Sequence, residues 1–155
     1  MKAVVMAGGE GTRLRPMTSS MPKPLLPVVN RPIMEHVLLL LKRHGCHETV
    51  VTVQFLASLV RNYFGDGEDL GMSLQYANEE SPLGTAGSVK NAEDALGDDT
   101  FLVISGDALT DIDLTDLVRY HKDKGALVTV CLKRVPDPLE FGITIIDEDG
   151  RVERF

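Results

Sequence analysis

Three glycines and three basic side chains follow the first apolar run of the chain, in the stretch AVVMAGGEGTRLRPMTSSMPKPLLPV. Glycine lets the backbone amides of a turn approach an anion closely, and such concave sets of amides bind phosphate. Basic side chains beside the turn would supply the positive charge that a polyphosphate needs. The candidates for a phosphate site are therefore Gly8, Gly9, Gly11, Arg13 and Lys23.

Two better-known phosphate-binding loops do not fit this stretch. A Walker A loop needs lysine and then serine or threonine directly after its last glycine, whereas Gly11 is followed by Thr12 and Arg13. A dinucleotide-binding fingerprint needs a third glycine that opens a helix, and Leu14 stands at that place, shortly before Pro16. The remaining interpretation is a turn of bare backbone amides with basic side chains beside it.

A carboxylate follows a later apolar run, in the stretch FLVISGDALTD. Open sheets of parallel strands bind ligands at the carboxyl ends of their strands, so Asp107 is expected at the ligand-binding edge. Carboxylate oxygens are hard ligands that suit Mg2+ on phosphates. Asp107 is thus the candidate metal ligand, whereas Asp113 is better explained as the N-cap of the helix that follows it.

Strand-like and helix-like segments alternate along the chain, which predicts an α/β fold. A short apolar strand is expected at Lys2 to Ala7, the prolines from Pro16 to Pro32 predict a long extended loop, and a helix is expected from Pro32 to Gly45. Further predicted strands span residues 49–55, 73–79, 100–107 and 127–134, and further predicted helices span 57–64, 88–96 and 114–125. Helices that connect successive strands as right-handed crossovers give a mostly parallel sheet in a three-layer α/β/α arrangement. An antiparallel hairpin is expected about Asp149-Gly150.

Charge and composition exclude several classes of protein. A net charge of −7 argues against a general nucleic-acid or anionic-membrane binder, which would carry a basic face. No apolar run is long enough for a signal-peptide core or a membrane span, so we expect a soluble, cytoplasmic protein. Cys46 and Cys131 lack the spacing of a disulfide framework or a zinc site, and are expected to be buried free thiols.

The stretch GGEGTRLRPMTSSMPKPLLPV resembles the signature of nucleotide-sugar pyrophosphorylases, which join a sugar 1-phosphate to an NTP and release pyrophosphate. The resemblance implies a Rossmann-like nucleotidyltransferase fold with Mg2+ as cofactor. It also implies that NEESPLGTAGS reads the base and approaches the nucleotide, and that EFGITIID contacts the sugar. The implied catalytic residues are Arg13, Lys23 and Asp107, with Asp107 on the metal; the implied nucleotide-binding residues are Ala7, Gly8, Gly9, Gly11, Thr12, Glu79, Glu80, Gly84, Thr85 and Ala86; the implied sugar-binding residue is Gly142.

Residue types in the base-reading segment favour guanine. Guanine presents two donors side by side, N1–H and the N2 amino group, which one carboxylate accepts together. Uracil and thymine present a donor beside an acceptor, which suits an amide such as glutamine. Glu79 and Glu80 stand at this place, so we expect GTP, although either glutamate could instead be a solvated loop charge.

GTP and mannose 1-phosphate form the expected substrate pair, because glutamates joined to PLGTAG resemble the mannose-1-phosphate guanylyltransferase branch. One alternative is a glucose-1-phosphate thymidylyl- or uridylyltransferase. The other is a pyrophosphorylase-like regulatory subunit that binds nucleotide sugar without turnover. The joint retention of five residues argues against it: Gly8, Gly11, Arg13, Lys23 and Asp107.

Residues 1–155 are predicted to form a single nucleotidyltransferase domain that is truncated at its C-terminal side. The family's Glu-Lys-Pro segment, with its sugar-phosphate lysine, and its second metal aspartate have no counterpart in this chain. We therefore expect the 155 residues alone to be inactive or nearly so. The full-length protein is expected to be a homo-oligomer.

Overall fold

The predicted alternation of strands and helices is present in the computed structural model, which describes residues 1–137 and 141–155. Contacts divide the chain into two units, Met1–Leu114 and Thr115–Phe155. The strands are β1 (Ala3–Met6), β2 (Pro27–Val28), β3 (Arg31–Pro32), β4 (Glu48–Val53), β5 (Ser73–Asn78), β6 (Leu102–Ser105), β7 (Ile145–Ile146) and β8 (Val152–Arg154). The helices are α1 (Ile33–Arg43), α2 (Ala57–Phe64), α3 (Gly84–Lys90), α4 (Glu93–Leu96) and α5 (Leu114–Lys124).

A parallel sheet of four strands, in the order β5-β4-β1-β6, forms the first unit's centre and confirms the predicted fold class. Its inner strands are buried on both faces, which explains why β1 reads AVVM and β4 reads ETVVTV rather than alternating apolar and polar residues. On one face, Val4 and Val50 pack against Ala92 and Leu96 of the α3–α4 region. All four strands therefore deliver their carboxyl ends to one edge.

Helix α1 begins directly after Pro32, as predicted from the proline at its first turn. Met34, Leu38 and Leu41 recur at helical spacing and are fully buried, so they form the stripe by which this helix joins the core. Across the part of the chain that the structure describes, no helix is long and apolar enough to cross a membrane.

The prediction of one helix over residues 88–96 is wrong in its boundaries. Helix α3 begins earlier, at Gly84, and a break separates its end at Lys90 from α4. The side chain of Asn91 donates a hydrogen bond to the carbonyl of Asn78, 2.9 Å away, and ties the break to the end of β5. Two glycines in GTAGSVK weaken the helix signal, which is why the sequence did not indicate the earlier start.

The strand predicted over residues 127–134 is also wrong, because the structure assigns no strand to this run. Val128 and Val130 have high β-propensity but are 77% and 46% exposed. Cys131, in the same run, was predicted to be buried, and this is also wrong, because it is exposed. A strand forms only where a neighbouring strand takes up its backbone hydrogen bonds. Among the described residues of the second unit, only β7 and β8 pair with each other.

The hairpin predicted about Asp149-Gly150 is confirmed: β7 and β8 pair antiparallel across this turn. The Asp147 carboxylate accepts hydrogen bonds from the backbone N–H groups of Asp149 and Arg151, at 3.0 and 2.7 Å. Gly150 has a φ of +81°, which a residue without a side chain adopts at low cost. The second unit thus contains α5 and this hairpin.

Candidate functional site

A cavity of about 320 Å³ lies at the carboxyl edge of the parallel sheet. Its walls come from the loops that follow β1, β4, β5 and β6, together with the start of α3. It brings together nine residues that the sequence analysis singled out: Ala7, Gly8, Gly9, Gly11, Lys23, Glu79, Gly84, Thr85 and Asp107. Ligands bind at this edge in open α/β sheets, so the cavity is the candidate functional site.

The glycine turn after β1 is held by hydrogen bonds to its own backbone. Gly11 has a φ of +63°, and its carbonyl accepts bonds from the buried Thr18 hydroxyl and the Leu14 N–H, both at 2.9 Å. A Cβ atom at Gly11 would lie 3.1 Å from the Lys23 Cβ atom. The absence of a side chain at Gly11 therefore lets the turn pack against Lys23 and keeps both at the cavity wall.

The strongest electrostatic contact in the cavity joins two residues that are far apart in the chain. Lys23 Nζ lies 2.7 Å from Asp107 Oδ2, and both side chains are about two-thirds buried. The hydroxyl of Ser105 donates to the other oxygen, Asp107 Oδ1, over 2.6 Å. Asp107 therefore has a fixed position and a defined charge partner.

Close packing of Gly106 against β1 directs Asp107 into the cavity. The Gly106 N–H donates to the Met6 carbonyl over 2.8 Å. A Cβ atom at Gly106 would lie 2.9 Å from Val5 Cγ1, which is closer than real Cβ atoms approach a neighbour. Only glycine lets the chain turn here and present the next residue's carboxylate at the sheet edge.

Asp107 is held in its ionised form. Partial burial raises its pKa, but hydrogen bonds from Lys23 and Ser105 and the charge of Lys23 outweigh burial, so the pKa lies below its ordinary value. An ionised carboxylate is an acceptor only, and is suited to holding a cation or a positively charged side chain.

The donor set fits Mg2+ of the kind that is shared with a substrate phosphate. Among the described residues, no three His, Cys, Asp or Glu side chains converge on one point, so a cage made wholly of protein is not present there. Mg2+ commonly takes one or two carboxylates and completes its shell with water and phosphate oxygens. Each oxygen of Asp107 has a second lone pair beyond its present partner, which leaves room for one such bond.

Glu79 is the buried carboxylate of the site, and the structure distinguishes it from its neighbour. It directly follows β5, its N–H donates to the Val53 carbonyl over 2.9 Å, and it is 9% exposed, whereas Glu80 is exposed and does not line the cavity. Glu79 Oε1 is buried without a hydrogen-bond partner among the described residues. A buried acceptor left unpaired is costly, so this atom is suited to receive a donor from a ligand.

Other predicted site residues lie outside the cavity lining: Thr12, Arg13, Glu80 and Ala86. Arg13 is exposed on the turn Thr12–Leu14. Gly142 belongs to the second unit, and Glu140, the first residue of the predicted sugar-contacting segment, lies outside the described residues. The roles inferred for these residues remain predictions.

Several lining residues were missed by the sequence analysis, among them Gln54, Ser88 and Ser105. Gln54 directly follows β4, at the same sheet edge as Asp107 and Glu79. A rule that examines every polar residue just beyond a parallel strand would have found it. Ser88 carries no such signal, because it lies inside α3, where its hydroxyl donates to the Gly84 carbonyl.

Comparison with known proteins gives consistent matches over nearly the whole chain. The family model described as nucleotidyl transferase matches residues 2–155. The chain is 39% identical to the UTP–glucose-1-phosphate uridylyltransferase of Synechocystis sp. and 41% identical to the mannose-1-phosphate guanylyltransferase of Mycobacterium tuberculosis. These matches cover 100% and 99% of this chain, but it spans only 43% of the length of either relative.

A solved structure has the same arrangement of elements. It belongs to a Bacillus anthracis protein assigned as a glucose-1-phosphate thymidylyltransferase, and it matches this chain with a TM-score of 0.88 at 30% identity. The match covers 96% of this chain and 61% of that protein. The cavity therefore lies on a fold shared with proteins whose names specify three different nucleotides.

Proposed function

Since this chain belongs to the nucleotidyl transferase family, we propose that its protein transfers a nucleotidyl group from an NTP to a sugar 1-phosphate, with release of pyrophosphate. The observation that carries the proposal is the cavity in which the glycine turn, the Lys23–Asp107 ion pair and the Glu79 carboxylate, with its unpaired Oε1 atom, meet. The turn and Lys23 suit phosphates, Asp107 suits a cation on those phosphates, and Glu79 suits a base that donates hydrogen bonds.

In the proposed reaction, an oxygen of the sugar phosphate attacks the α-phosphorus of the NTP in line with the bond to the β-phosphate. That bond breaks and pyrophosphate leaves, so no protein nucleophile is needed. The amides of Gly8, Gly9 and Gly11 hold the triphosphate, and Lys23 balances the charge that develops on its oxygens. Bound at Asp107, Mg2+ would withdraw charge from the phosphates. Most of the acceleration comes from fixing two substrates in the correct geometry.

GTP is the nucleotide that the site favours. A purine's Watson–Crick edge that carries two adjacent donors can satisfy both oxygens of the buried Glu79 carboxylate. Uracil or thymine offers one donor, N3–H, beside an acceptor oxygen that would face the second carboxylate oxygen with like partial charge. Burying two acceptors against each other leaves both without donors, which disfavours UTP and dTTP. The uridylyltransferase relative makes UTP the specific alternative to be tested.

Mannose 1-phosphate is the proposed acceptor. The support for it is the sequence similarity to a mannose-1-phosphate guanylyltransferase together with the carboxylate at the base position. A pyrophosphate-release assay with four NTPs crossed against mannose 1-phosphate and glucose 1-phosphate tests both choices. Release with UTP and glucose 1-phosphate alone would replace the proposed substrates, and nucleotide-sugar binding without release would identify a non-catalytic regulatory subunit.

Replacing Glu79 with glutamine is expected to weaken the use of GTP. The amide keeps the side chain's shape but places an NH2 group against one guanine donor, at a cost of about 1 to 3 kcal/mol in transition-state binding. The kcat/KM for GTP should fall by the factor that corresponds to this free-energy cost. The ratio of kcat/KM for GTP to kcat/KM for UTP should therefore decrease. Glu80→Gln is the matched control, because this exposed neighbour lies outside the cavity lining. If the ratios of kcat/KM among the four NTPs are the same in Glu79→Gln as in the parent protein, base reading by this residue is contradicted.

A further inference from the structure

We propose that Gln54 is a second base-reading residue, which donates a hydrogen bond from its side-chain Nε2–H to the O6 carbonyl of guanine. The inference deepens the proposed function and rests on its choice of GTP. It assigns the third group of guanine's Watson–Crick edge, next to the two donors assigned to Glu79.

Strand register places Gln54 beside Glu79. Strands β4 and β5 are parallel and pair Val53 with Asn78, so the next residues along the two strands are Gln54 and Glu79. The N–H of Glu79 donates to the carbonyl of Val53 and extends this pairing by one step. Both side chains line the same cavity.

The backbone at Gly8 lies close to both side chains. A Cβ atom at Gly8 would lie 3.2 Å from Glu79 Oε1 and 3.4 Å from Gln54 Cβ. The space that a side chain at Gly8 would occupy is thus bordered by the unpaired carboxylate and by the root of the Gln54 side chain. One planar base edge placed there can reach both groups.

Hydrogen-bonding capacity selects the atom that Gln54 reads. Once a carboxylate has taken N1–H and the N2 amino group, the O6 acceptor is the only group left on that edge of guanine. Gln54 is half-buried, and among the described residues its side chain makes no hydrogen bond, so its amide donors are free for a ligand. Without such a donor, O6 would be buried unpaired when the base binds.

Equilibrium binding of nucleotide analogues tests this assignment without requiring turnover. The comparison uses GTP, 6-thio-GTP, in which a poor acceptor replaces O6, and ITP, which lacks the N2 amino group. Gln54→Met keeps the side-chain length and removes the amide. We expect it to weaken GTP binding about three- to tenfold, as for one neutral hydrogen bond, and to leave 6-thio-GTP binding nearly unchanged. The ratio of GTP to ITP affinity should stay as in the parent protein, because Glu79 reads the N2 amino group.

Two controls separate base reading from an effect on folding. Gln75→Met makes the same substitution on β5 at an exposed position outside the cavity, and should leave all three affinities unchanged. Glu79→Gln should lower the ratio of GTP to ITP affinity. Circular dichroism and thermal unfolding confirm that each variant is folded.

The outcomes distinguish the inference from the function on which it rests. Equal weakening of GTP and 6-thio-GTP by Gln54→Met would overturn the O6 contact and assign Gln54 to packing. If the parent protein prefers GTP and Gln54→Met binds GTP with the same affinity as the parent, the inference is overturned and the proposed function stays intact. Preference of the parent protein for UTP would overturn the inference and the proposed choice of GTP, but not the proposed nucleotidyl transfer, because an amide at Gln54 would then match the donor and acceptor of uracil.

Discussion

Replacing Lys23 with alanine is expected to lower turnover about a hundredfold or more, in line with the loss of one preorganised electrostatic stabiliser. The ammonium group lies beside the glycine turn and contacts Asp107 at 2.7 Å. Under the proposed function, the phosphates of the NTP bind next to it. Charge on those phosphates grows as the bond to pyrophosphate breaks, so Lys23 contributes more in the transition state than in the ground state. The measurement is kcat for pyrophosphate release by the full-length protein at saturating substrates.

Lys90→Ala is the matched control for this experiment. Lys90 is exposed at the end of α3, close in sequence to cavity residues but outside the lining, so its removal changes net charge by the same amount without touching the site. Thermal unfolding should be similar for both variants, because Asp107 keeps the Ser105 hydroxyl as a partner when Lys23 is removed. A Lys23→Ala protein that turns over at a near-normal rate would refute the electrostatic role.

Replacing Asp107 with asparagine should weaken nucleotide binding about tenfold or more in the presence of Mg2+, and much less in EDTA. The substitution keeps the shape of the side chain but removes the negative charge that attracts a hard cation. It also removes the charge partner of Lys23, which frees the ammonium group for phosphate and tends to strengthen metal-free binding. Titration calorimetry of the NTP with and without Mg2+ measures both quantities on one protein.

Asp111→Asn provides the control for Asp107→Asn, because it makes the same change of charge at an exposed residue a few positions along the chain. In Asp111→Asn, the dependence of NTP binding on Mg2+ should be the same as in the parent protein. Equal weakening of binding in Mg2+ and in EDTA by Asp107→Asn would show that Asp107 holds the loop rather than a cation. Such a result would not affect the base-reading proposals, which depend on other side chains.

Local sequence features were sufficient to predict the parts of the site whose conformation depends on near neighbours. The glycine turn follows from residues that tolerate left-handed backbone next to a strand, and Asp107 follows from a carboxylate directly after a buried strand. The parallel sheet follows from short apolar strands separated by helices, and the final hairpin from Asp149-Gly150. Each of these depends on backbone propensity and burial within a few residues.

The pairing of side chains that are distant in the chain was decided by the tertiary structure. Nothing in the sequence indicated that Lys23 would contact Asp107, because that contact depends on how the glycine turn packs against the sheet edge. The choice between Glu79 and Glu80 depends on strand register, since successive side chains of an extended segment point to opposite sides. The position of Gln54 beside Glu79 follows from the same register, which pairs Val53 with Asn78.

The sequence by itself therefore determined the fold class, the glycine-rich turn after β1 and the strand-end carboxylate, whereas the tertiary structure decided which side chains share one cavity. Residues 127–134 show that local propensity alone is not sufficient. Their β-propensity is strong, yet no described strand pairs with them. The physical reason is that propensity and turn geometry are properties of a short segment, while hydrogen-bond pairing, register and ion-pair contact require a second segment at a definite distance. A local pattern carries no information about that distance until the chain is packed.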